Sequence, residues 1–171
     1  MAETIAHPPI IIDSPRDLPG LLGRLRGEAK IAVDTESNSL YAYRERVCLI
    51  QISAPGADYL VDALALDSLE GLGDVFANPA VEKVLHGAEY DVGTLRRDFG
   101  FSFANIFDTM IASRILGIKR FGLASLLEER FGVRLDKKMQ RHNWGRRPLD
   151  RKALEYARLD THYLLPLRDQ L

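Results

Sequence analysis

The stretch KIAVDTESNSL, residues 30–40, constrains the fold more than any other part of the chain. It opens with an apolar run at 31–33, which is typical of a buried strand, and continues with Asp34 and Glu36. Side chains two residues apart in a strand point to the same face, so the two carboxylates would project together from its end. Because adjacent anions repel each other unless a cation lies between them, this pair predicts a metal site.

Two later stretches carry acidic residues that could complete such a site. The first, VEKVLHGAEYDVGTL (residues 81–95), is typical of a short buried strand followed by a helix with Asp91 in its first turns. The second, LDRKALEYARLDTHYLLPL (residues 149–167), predicts a helix in which Tyr156 and Asp160 are four residues apart and share a face. Each of these residues alone is more often structural, so only their combination indicates a site.

The three stretches, in this order, resemble the DEDDy 3′-to-5′ exonucleases, specifically the ribonuclease D and exosome-associated exoribonuclease branch. The motifs are DTE at 34–36, LHGAEYD ending at Asp91, and YARLD with Tyr156 and Asp160. The segments FDTMIASRILG and GLASLLEERFGVRLDK between them are similar to the same branch, and the likeness covers about residues 10–171. A single D-x-E occurs by chance in most proteins, whereas three motifs in order are specific.

The order of predicted elements supports a mixed α/β protein. Three β-runs with short turns predict an antiparallel meander, and alternating strand and helix patterns after it predict parallel additions to the same sheet. The predicted β-runs of the meander are residues 30–36, 47–53 and 58–61. The particular topology, a ribonuclease H-like mixed sheet flanked by helices, is what the resemblance implies.

The length and apolar content fit one compact domain. We expect a single exonuclease domain over residues 1–171, with residues 1–9 as a flexible lead-in and no helical domain of the HRDC type in this chain. After the first short strand, Ser14 as N-cap and Pro15 at the first helical position predict a helix that runs to about Arg26.

The resemblance also implies the chemistry of the site, which uses two divalent metal ions, Mg²⁺ or Mn²⁺. Asp34 would bridge the ions, Glu36 and Asp160 would complete the site that holds the attacking water, and Asp91 would support the second ion. Tyr156 would orient the water for in-line attack. These five residues are the predicted catalytic set, and the four acids are the predicted metal ligands. Oxygen donors of this kind suit Mg²⁺ without any His or Cys cluster.

Other residues are candidates for contact with the nucleic acid. Asn38 and Leu40 follow the strand that carries the acids, where a wedge or stacking surface for terminal bases would be useful. His86 precedes the helix of Asp91 and could touch the terminal ribose or phosphate, and Arg147 could bind a phosphate. A structural role is the alternative for each of these four residues. Trp144 is interpreted as a core residue that anchors the basic loop.

The charge of the chain is unevenly distributed. The net charge is −1, but residues 130–152 contain nine Lys or Arg and two acidic residues, a local balance of +7. This asymmetry predicts a basic flank beside an acidic metal site, as an enzyme that follows a phosphate backbone needs. A solvated surface is the alternative interpretation.

The leading hypothesis is a metal-dependent 3′-to-5′ exoribonuclease that acts on single-stranded 3′ ends of RNA, such as tRNA precursors, and releases nucleoside 5′-monophosphates. Alternatives are an exodeoxyribonuclease and an inactive nucleic-acid-binding module, although the latter would have lost one of the acids. The single Cys48 and the missing signal-peptide pattern predict a cytoplasmic protein. The sequence indicates nucleic acid as the partner, with neither a membrane nor an obligate protein partner.

Overall fold

The computed structural model describes residue 5 and residues 7–171. Of the predicted lead-in at residues 1–9, residues 1–4 and 6 lie outside the described residues. The strands are β1 (Ile10–Ile12), β2 (Lys30–Ser37), β3 (Val47–Ala54), β4 (Ala57–Asp62), β5 (Glu82–Leu85) and β6 (Ile106–Asp108).

Seven α-helices occur in the described part of the chain. They are α1 (Leu18–Arg26), α2 (Glu70–Ala77), α3 (Ala88–Phe99), α4 (Thr109–Ile115), α5 (Leu123–Phe131), α6 (Arg151–His162) and α7 (Leu164–Gln170), and a 3-10 helix covers Lys137–Arg141. None of the described helices has both the length and the apolar character needed to cross a membrane.

All strands belong to one sheet, in the order β1-β4-β3-β2-β5-β6. Strands β2, β3 and β4 pair antiparallel, while β1 pairs with β4, β5 with β2 and β6 with β5 in parallel. The predicted antiparallel meander with parallel additions is therefore confirmed. Every residue of β3 is buried, because this central strand has neighbours at both edges and packed elements on both faces.

The two faces of the sheet are covered by different helices. The register of β2 with β3 places Asp34 opposite Gln51 and Glu36 opposite Leu49, so these four side chains share one face. Helix α6 packs over β2, β3 and β4 on this face, and α7 packs over β2 and β5. The main core fills the opposite face, where side chains of α1, α2 and α3 meet the strands.

Helix α1 differs from its predicted bounds. It begins at Leu18 with Asp17 as N-cap, about one turn later than the predicted start at Ser14. Pro19 explains the difference, since proline has no N–H and clashes with the carbonyl four residues earlier when it lies inside a helix. A start at Leu18 puts Pro19 in the first turn, where an N–H would be unpaired in any case.

The turn between β5 and α3 fixes the start of the helix that carries Asp91. Gly87 has a left-handed backbone with φ of 73°, which glycine adopts without strain. The Asp108 carboxylate accepts hydrogen bonds from the main-chain N–H groups of Gly87 and Ala88 at 3.0 and 2.7 Å, and also from that of Met110 at 2.9 Å. One side chain at the end of β6 thus caps the N-termini of both α3 and α4.

Candidate active site

Strand β2 and helix α6 contribute three of the predicted acids to one face of the sheet. Asp34 and Glu36 lie near the carboxyl end of β2 and are partly exposed. Asp160 lies on the side of α6 that faces the sheet and is 5% exposed. The cluster therefore has a buried base and an accessible side.

Asp91 reaches the same place from the first turns of α3. The Thr35 hydroxyl donates a hydrogen bond of 2.5 Å to Asp91 Oδ1, the main-chain N–H of Thr35 also binds this carboxylate, and the Asp34 carboxyl group lies close to it. Burial raises the pKa of Asp91 to about 6, although these hydrogen bonds lower it. The hydrogen bonds join Asp91 directly to the strand that carries the other acids.

The four acids form one electrostatic cluster. Burial, followed by the charges of the other three acids, raises the pKa of Asp34 well above its ordinary range. Burial and then the charges of Asp160 and Asp91 raise the pKa of Glu36 in the same way. Burial and the charge of Asp91 raise the pKa of Asp160 to about 8. Like charges shift one another's pKa only at short range, so the structure brings together the four acids that the motifs single out.

The donor set suits hard divalent cations. All four side chains offer carboxylate oxygens, which Mg²⁺ and Mn²⁺ prefer, and bound cations would relieve the repulsion that raises these pKa values. Among the described residues, no group of three or more His, Cys, Asp or Glu side chains already has the arrangement of a metal-binding site. The fit to cations therefore rests on the chemistry and mutual charge of the donors.

Tyr156 lies beside the acids on the buried side of α6. It is 7% exposed, its ring packs 6.1 Å from that of Trp144, and the side chain of Gln140 donates a hydrogen bond to its phenol oxygen. Burial, then the charges of Asp160, Glu36 and Asp34, raises the pKa of the phenol. Tyr156 is therefore protonated at neutral pH and can donate a hydrogen bond.

Sequence reasoning missed two polar partners of this cluster, Thr35 and Gln140. Thr35 stands between the two strand acids but points to the other face of β2, so its position in the motif did not indicate its contact with Asp91. Gln140 lies in a run of charged residues, and nothing in that run distinguishes it from its neighbours.

Arg147 does not have the free guanidinium expected of a phosphate ligand. It forms a bidentate pair with Asp62 at 2.7 and 2.9 Å, and it also donates to the carbonyls of Trp144, Arg146 and Cys48 at 2.6, 2.7 and 2.9 Å. These bonds use all of its N–H donors. The structure thus contradicts the predicted phosphate contact and gives Arg147 the structural role of tying the basic loop to β3 and β4.

His86 and Trp144 are also held within the fold. His86 Nδ1 lies 2.9 Å from the hydroxyl of Thr109, and the ring hydrogen-bonds the main chain of Phe121. Burial lowers the pKa of His86, so the neutral ring is favoured. These contacts support the structural alternative for His86 over a substrate contact. Trp144 is 1% exposed and packs with Tyr156, as expected for a core anchor.

The loop after β2 has one structural residue and an exposed apolar tip. Asn38 closes the loop, since its side chain accepts from the main-chain N–H of Arg46 at 2.9 Å and its carbonyl accepts from that of Tyr41. Leu40, Tyr41 and Tyr43 are 65%, 55% and 104% exposed. The Tyr41 hydroxyl donates to the carbonyl of Arg141, so the loop contacts the basic segment, residues 130–152.

The basic segment lies beside the acids, as Gln140 and Arg141 show through their bonds to Tyr156 and Tyr41. Part of its positive charge is neutralised, because Arg134 pairs with Glu128, Lys152 with Asp136 and Arg147 with Asp62. Several other cations are exposed and, within the described residues, form no ion pair: Lys137, Lys138, Arg141, Arg146 and Arg151.

Comparison with known proteins identifies the family of the chain. A family model described as 3′-5′ exonuclease matches residues 9–171. The chain belongs to this family. Within the 3′-5′ exonuclease family, the exosome complex exonuclease RRP6 of Saccharomyces cerevisiae is 43% identical over 164 residues, which are 95% of this chain and 22% of that protein.

Two crystal structures are similar to nearly the whole chain. The catalytic core of RRP6 from Trypanosoma brucei is 37% identical with a TM-score of 0.92, and the match covers 98% of this chain and 47% of that one. RNase D of Escherichia coli is 31% identical with a TM-score of 0.88, and the match covers 96% of this chain and 44% of that one. The predicted family and the ribonuclease H-like α/β class are confirmed. The chain spans less than half of each of these proteins.

The expectation of a cytoplasmic protein is wrong. The exosome complex proteins to which this 3′-5′ exonuclease domain is similar are nuclear or nucleolar. Their names also include a protein assembly, the exosome, in line with the exosome-associated branch that the motifs resemble, whereas no obligate protein partner was expected. A single cysteine and a missing signal peptide do not distinguish the cytoplasm from the nucleus, since both compartments keep thiols reduced.

Proposed function

We propose that this chain is a 3′-to-5′ exoribonuclease that hydrolyses phosphodiester bonds from the 3′ end of RNA and releases nucleoside 5′-monophosphates. The observation that carries the proposal is the electrostatic cluster of four carboxylates, each of which shifts the pKa of another or is shifted by it. Four buried or half-buried acids on three separate elements are costly to assemble, and they serve no packing purpose.

Asp34, Glu36, Asp91 and Asp160 would hold a pair of divalent ions, Mg²⁺ or Mn²⁺. Such ions, when bound, activate a water molecule and neutralise charge on the phosphoryl and leaving oxygens. The donor oxygens and the concentrated negative charge of these residues fit that role.

The remaining chemistry belongs to the side chains around the acids. The protonated phenol of Tyr156 donates a hydrogen bond, so it would hold and aim the attacking water without acting as a base. Gln140 fixes the position of this phenol from the other side. Thr35 holds the Asp91 carboxylate against β2, which keeps the helix and the strand acids in one arrangement.

RNA with a single-stranded 3′ end is the substrate class we favour, including structured RNAs such as tRNA precursors. RNase D of Escherichia coli is named as an exoribonuclease involved in structured RNA processing, which supports this choice. The exposed Leu40, Tyr41 and Tyr43 would provide apolar and aromatic surface for the terminal bases. The exposed cations at 137–151 would follow the phosphate backbone.

A time course on matched RNA and DNA strands tests this function. Each strand carries a label at either its 5′ or its 3′ end and is incubated with Mg²⁺ or with EDTA. We expect the 5′-labelled RNA to shorten one nucleotide at a time, the 3′ label to appear at once as a mononucleotide, and EDTA to stop both. Equal or faster trimming of DNA would favour an exodeoxyribonuclease, and internal cleavage would contradict the proposal.

Matched acid variants exclude a contaminating nuclease. Asp160→Asn removes one member of the cluster and should abolish trimming. Asp74→Asn changes an exposed acid of α2 on the other side of the sheet and should trim as fast as the wild type. Trimming that survives in Asp160→Asn would contradict the assignment of the site.

A further inference from the structure

Gln51 is a buried polar residue in the middle of the sheet that the proposed chemistry does not use. Its side chain is 0% exposed at the centre of β3. Neither its amide nitrogen nor its amide oxygen has a hydrogen-bond partner in the described part of the chain. Buried side-chain amides almost always have partners, so a pair of unpaired atoms requires an explanation.

The surroundings of Gln51 offer one titratable neighbour in register. On one side of it Asp34 lies directly opposite on β2, and on the other Leu60 lies opposite on β4. Directly opposed residues of antiparallel strands have Cα atoms about 4.5 to 5.5 Å apart and point to the same face. The side chains of Gln51 and Asp34 are therefore neighbours beneath helix α6, and the Gln51 amide is long enough to reach the Asp34 carboxylate.

A packing role does not account for the amide. Ser53, two residues further on the same face, has its hydroxyl bonded to Asp58 at 2.6 Å and to Thr161 of α6 at 2.7 Å. The fold thus satisfies the neighbouring polar residue through its own elements. At position 51 Met or Leu would fill similar space without removing an unpaired amide from water.

We propose that Gln51 is a positioning residue of the acidic cluster, whose amide, unpaired in this structure, donates to the Asp34 carboxylate once that carboxylate holds a divalent cation and so sets its orientation. The inference rests on the proposed function, because it gives Gln51 a task only where Asp34 is a metal ligand. Asp34 is the acid that all three others influence, so its orientation affects the whole cluster. Groups that orient metal ligands are typically worth about 10- to 100-fold in metal affinity or activity.

The test measures Mn²⁺ affinity without RNA, by electron paramagnetic resonance, together with kcat and KM for RNA and stability in urea. Gln51→Met keeps the shape and removes the amide, Gln51→Asn keeps a shorter amide, and Leu60→Met is the packing control from the other side of Gln51. We expect Gln51→Met to be at least as stable as the wild type, to bind Mn²⁺ about 10-fold more weakly or worse, and to lose kcat with KM unchanged. Gln51→Asn should have a Mn²⁺ affinity and a kcat between those of the wild type and those of Gln51→Met.

Unchanged Mn²⁺ affinity in Gln51→Met would overturn the inference, and so would an equal loss in Leu60→Met, which would make packing the cause. If Gln51→Met does not fold, wild-type Mn²⁺ affinity in Gln51→Asn overturns it. Wild-type protein that binds Mn²⁺ in a Gln51-dependent way but trims no RNA would overturn the proposed function and leave this inference standing. Wild-type protein that binds no Mn²⁺ would overturn both.

Discussion

The hydroxyl of Thr35 donates a hydrogen bond of 2.5 Å to Oδ1 of Asp91, across 56 positions of sequence. Thr35 points away from the face that carries Asp34 and Glu36, because neighbouring residues of a strand alternate between faces. The bond therefore joins the helix on one side of the sheet to acids on the other side. It holds the first turns of α3 at the edge where the carboxylates meet.

Replacing Thr35 by Val keeps the branched shape and removes this bond. We expect Thr35→Val to lower kcat for RNA by about 10- to 100-fold, because the Asp91 carboxylate loses the partner that orients it. The matched control is Thr94→Val, since the Thr94 hydroxyl donates to the main-chain carbonyl of Asp91 at 3.1 Å and leaves the carboxylate alone. Steady-state kinetics of both variants decide the matter. Equal kcat in the two variants would argue against a role for Thr35 at the site.

The bidentate pair of Arg147 and Asp62 should matter for stability. Burial would raise the pKa of Asp62, but the hydrogen bonds and charge of Arg147 outweigh it and hold that pKa below its ordinary value. Lysine cannot reproduce the fork of donors, so Arg147→Lys should lower the free energy of unfolding by about 2 kcal/mol. Urea unfolding measures the loss, with the exposed Arg146→Lys as the control. A stable Arg147→Lys variant with weakened RNA binding would restore the phosphate role.

Lys83 should make stability rise with pH in the alkaline range. Its ammonium is fully buried in β5 and donates to the carbonyls of Asn78 and Val81 at 2.7 and 2.5 Å, and burial lowers its pKa from 10.5 to about 8. Between these two values the unfolded chain binds the proton that the folded protein has lost, so the free energy of unfolding increases with pH.

The comparison of wild type with Lys83→Met isolates this effect. From pH 7 to pH 10.5 the wild type should gain on the order of 2 to 3 kcal/mol relative to Lys83→Met. Replacing the exposed Lys119 by Met should leave the pH dependence of the wild type unchanged. Parallel stability curves for the wild type and Lys83→Met would show that the ammonium is not desolvated.

Two glycines near Asp91 should respond to alanine in opposite directions. Gly87 has φ of 73°, and a Cβ there would lie 3.4 Å from Cε of Met110. Gly87→Ala should therefore cost about 1 to 2 kcal/mol of unfolding free energy. Gly93 lies inside α3 with nothing within 4 Å of a Cβ, so Gly93→Ala should gain about 1 kcal/mol. Thermal unfolding of both variants checks the signs, and a destabilised Gly93→Ala would show that its space is needed.

Sequence predicted those features that a local pattern determines. The helix that carries Asp91 follows from the strand-and-helix pattern at 81–95, and the meander follows from apolar runs with short turns. The four acids could be singled out because they lie in three separate motifs, of which the first holds both Asp34 and Glu36. The alternation of side chains along a strand was enough to predict that Asp34 and Glu36 share one face.

The features that sequence reasoning missed depend on partners far away in the chain. Arg147 and Asp62 are 85 residues apart, so nothing near Arg147 showed that its donors were already used. Gln140 and Tyr156 meet because the basic segment folds back over α6, which no periodicity reveals. Gln51 looked like one polar residue in a buried strand until its register with Asp34 was known.

The most direct test of the account is a Mn²⁺ titration of the folded protein, followed by electron paramagnetic resonance, with Asp34→Asn as the comparison. The central claim is that Asp34, Glu36, Asp91 and Asp160 together hold divalent cations. We expect a pair of ions to bind the wild-type chain, and Asp34→Asn to remain folded while losing that binding. A wild-type chain that binds no Mn²⁺, or an Asp34→Asn variant that binds it equally well, would contradict the claim.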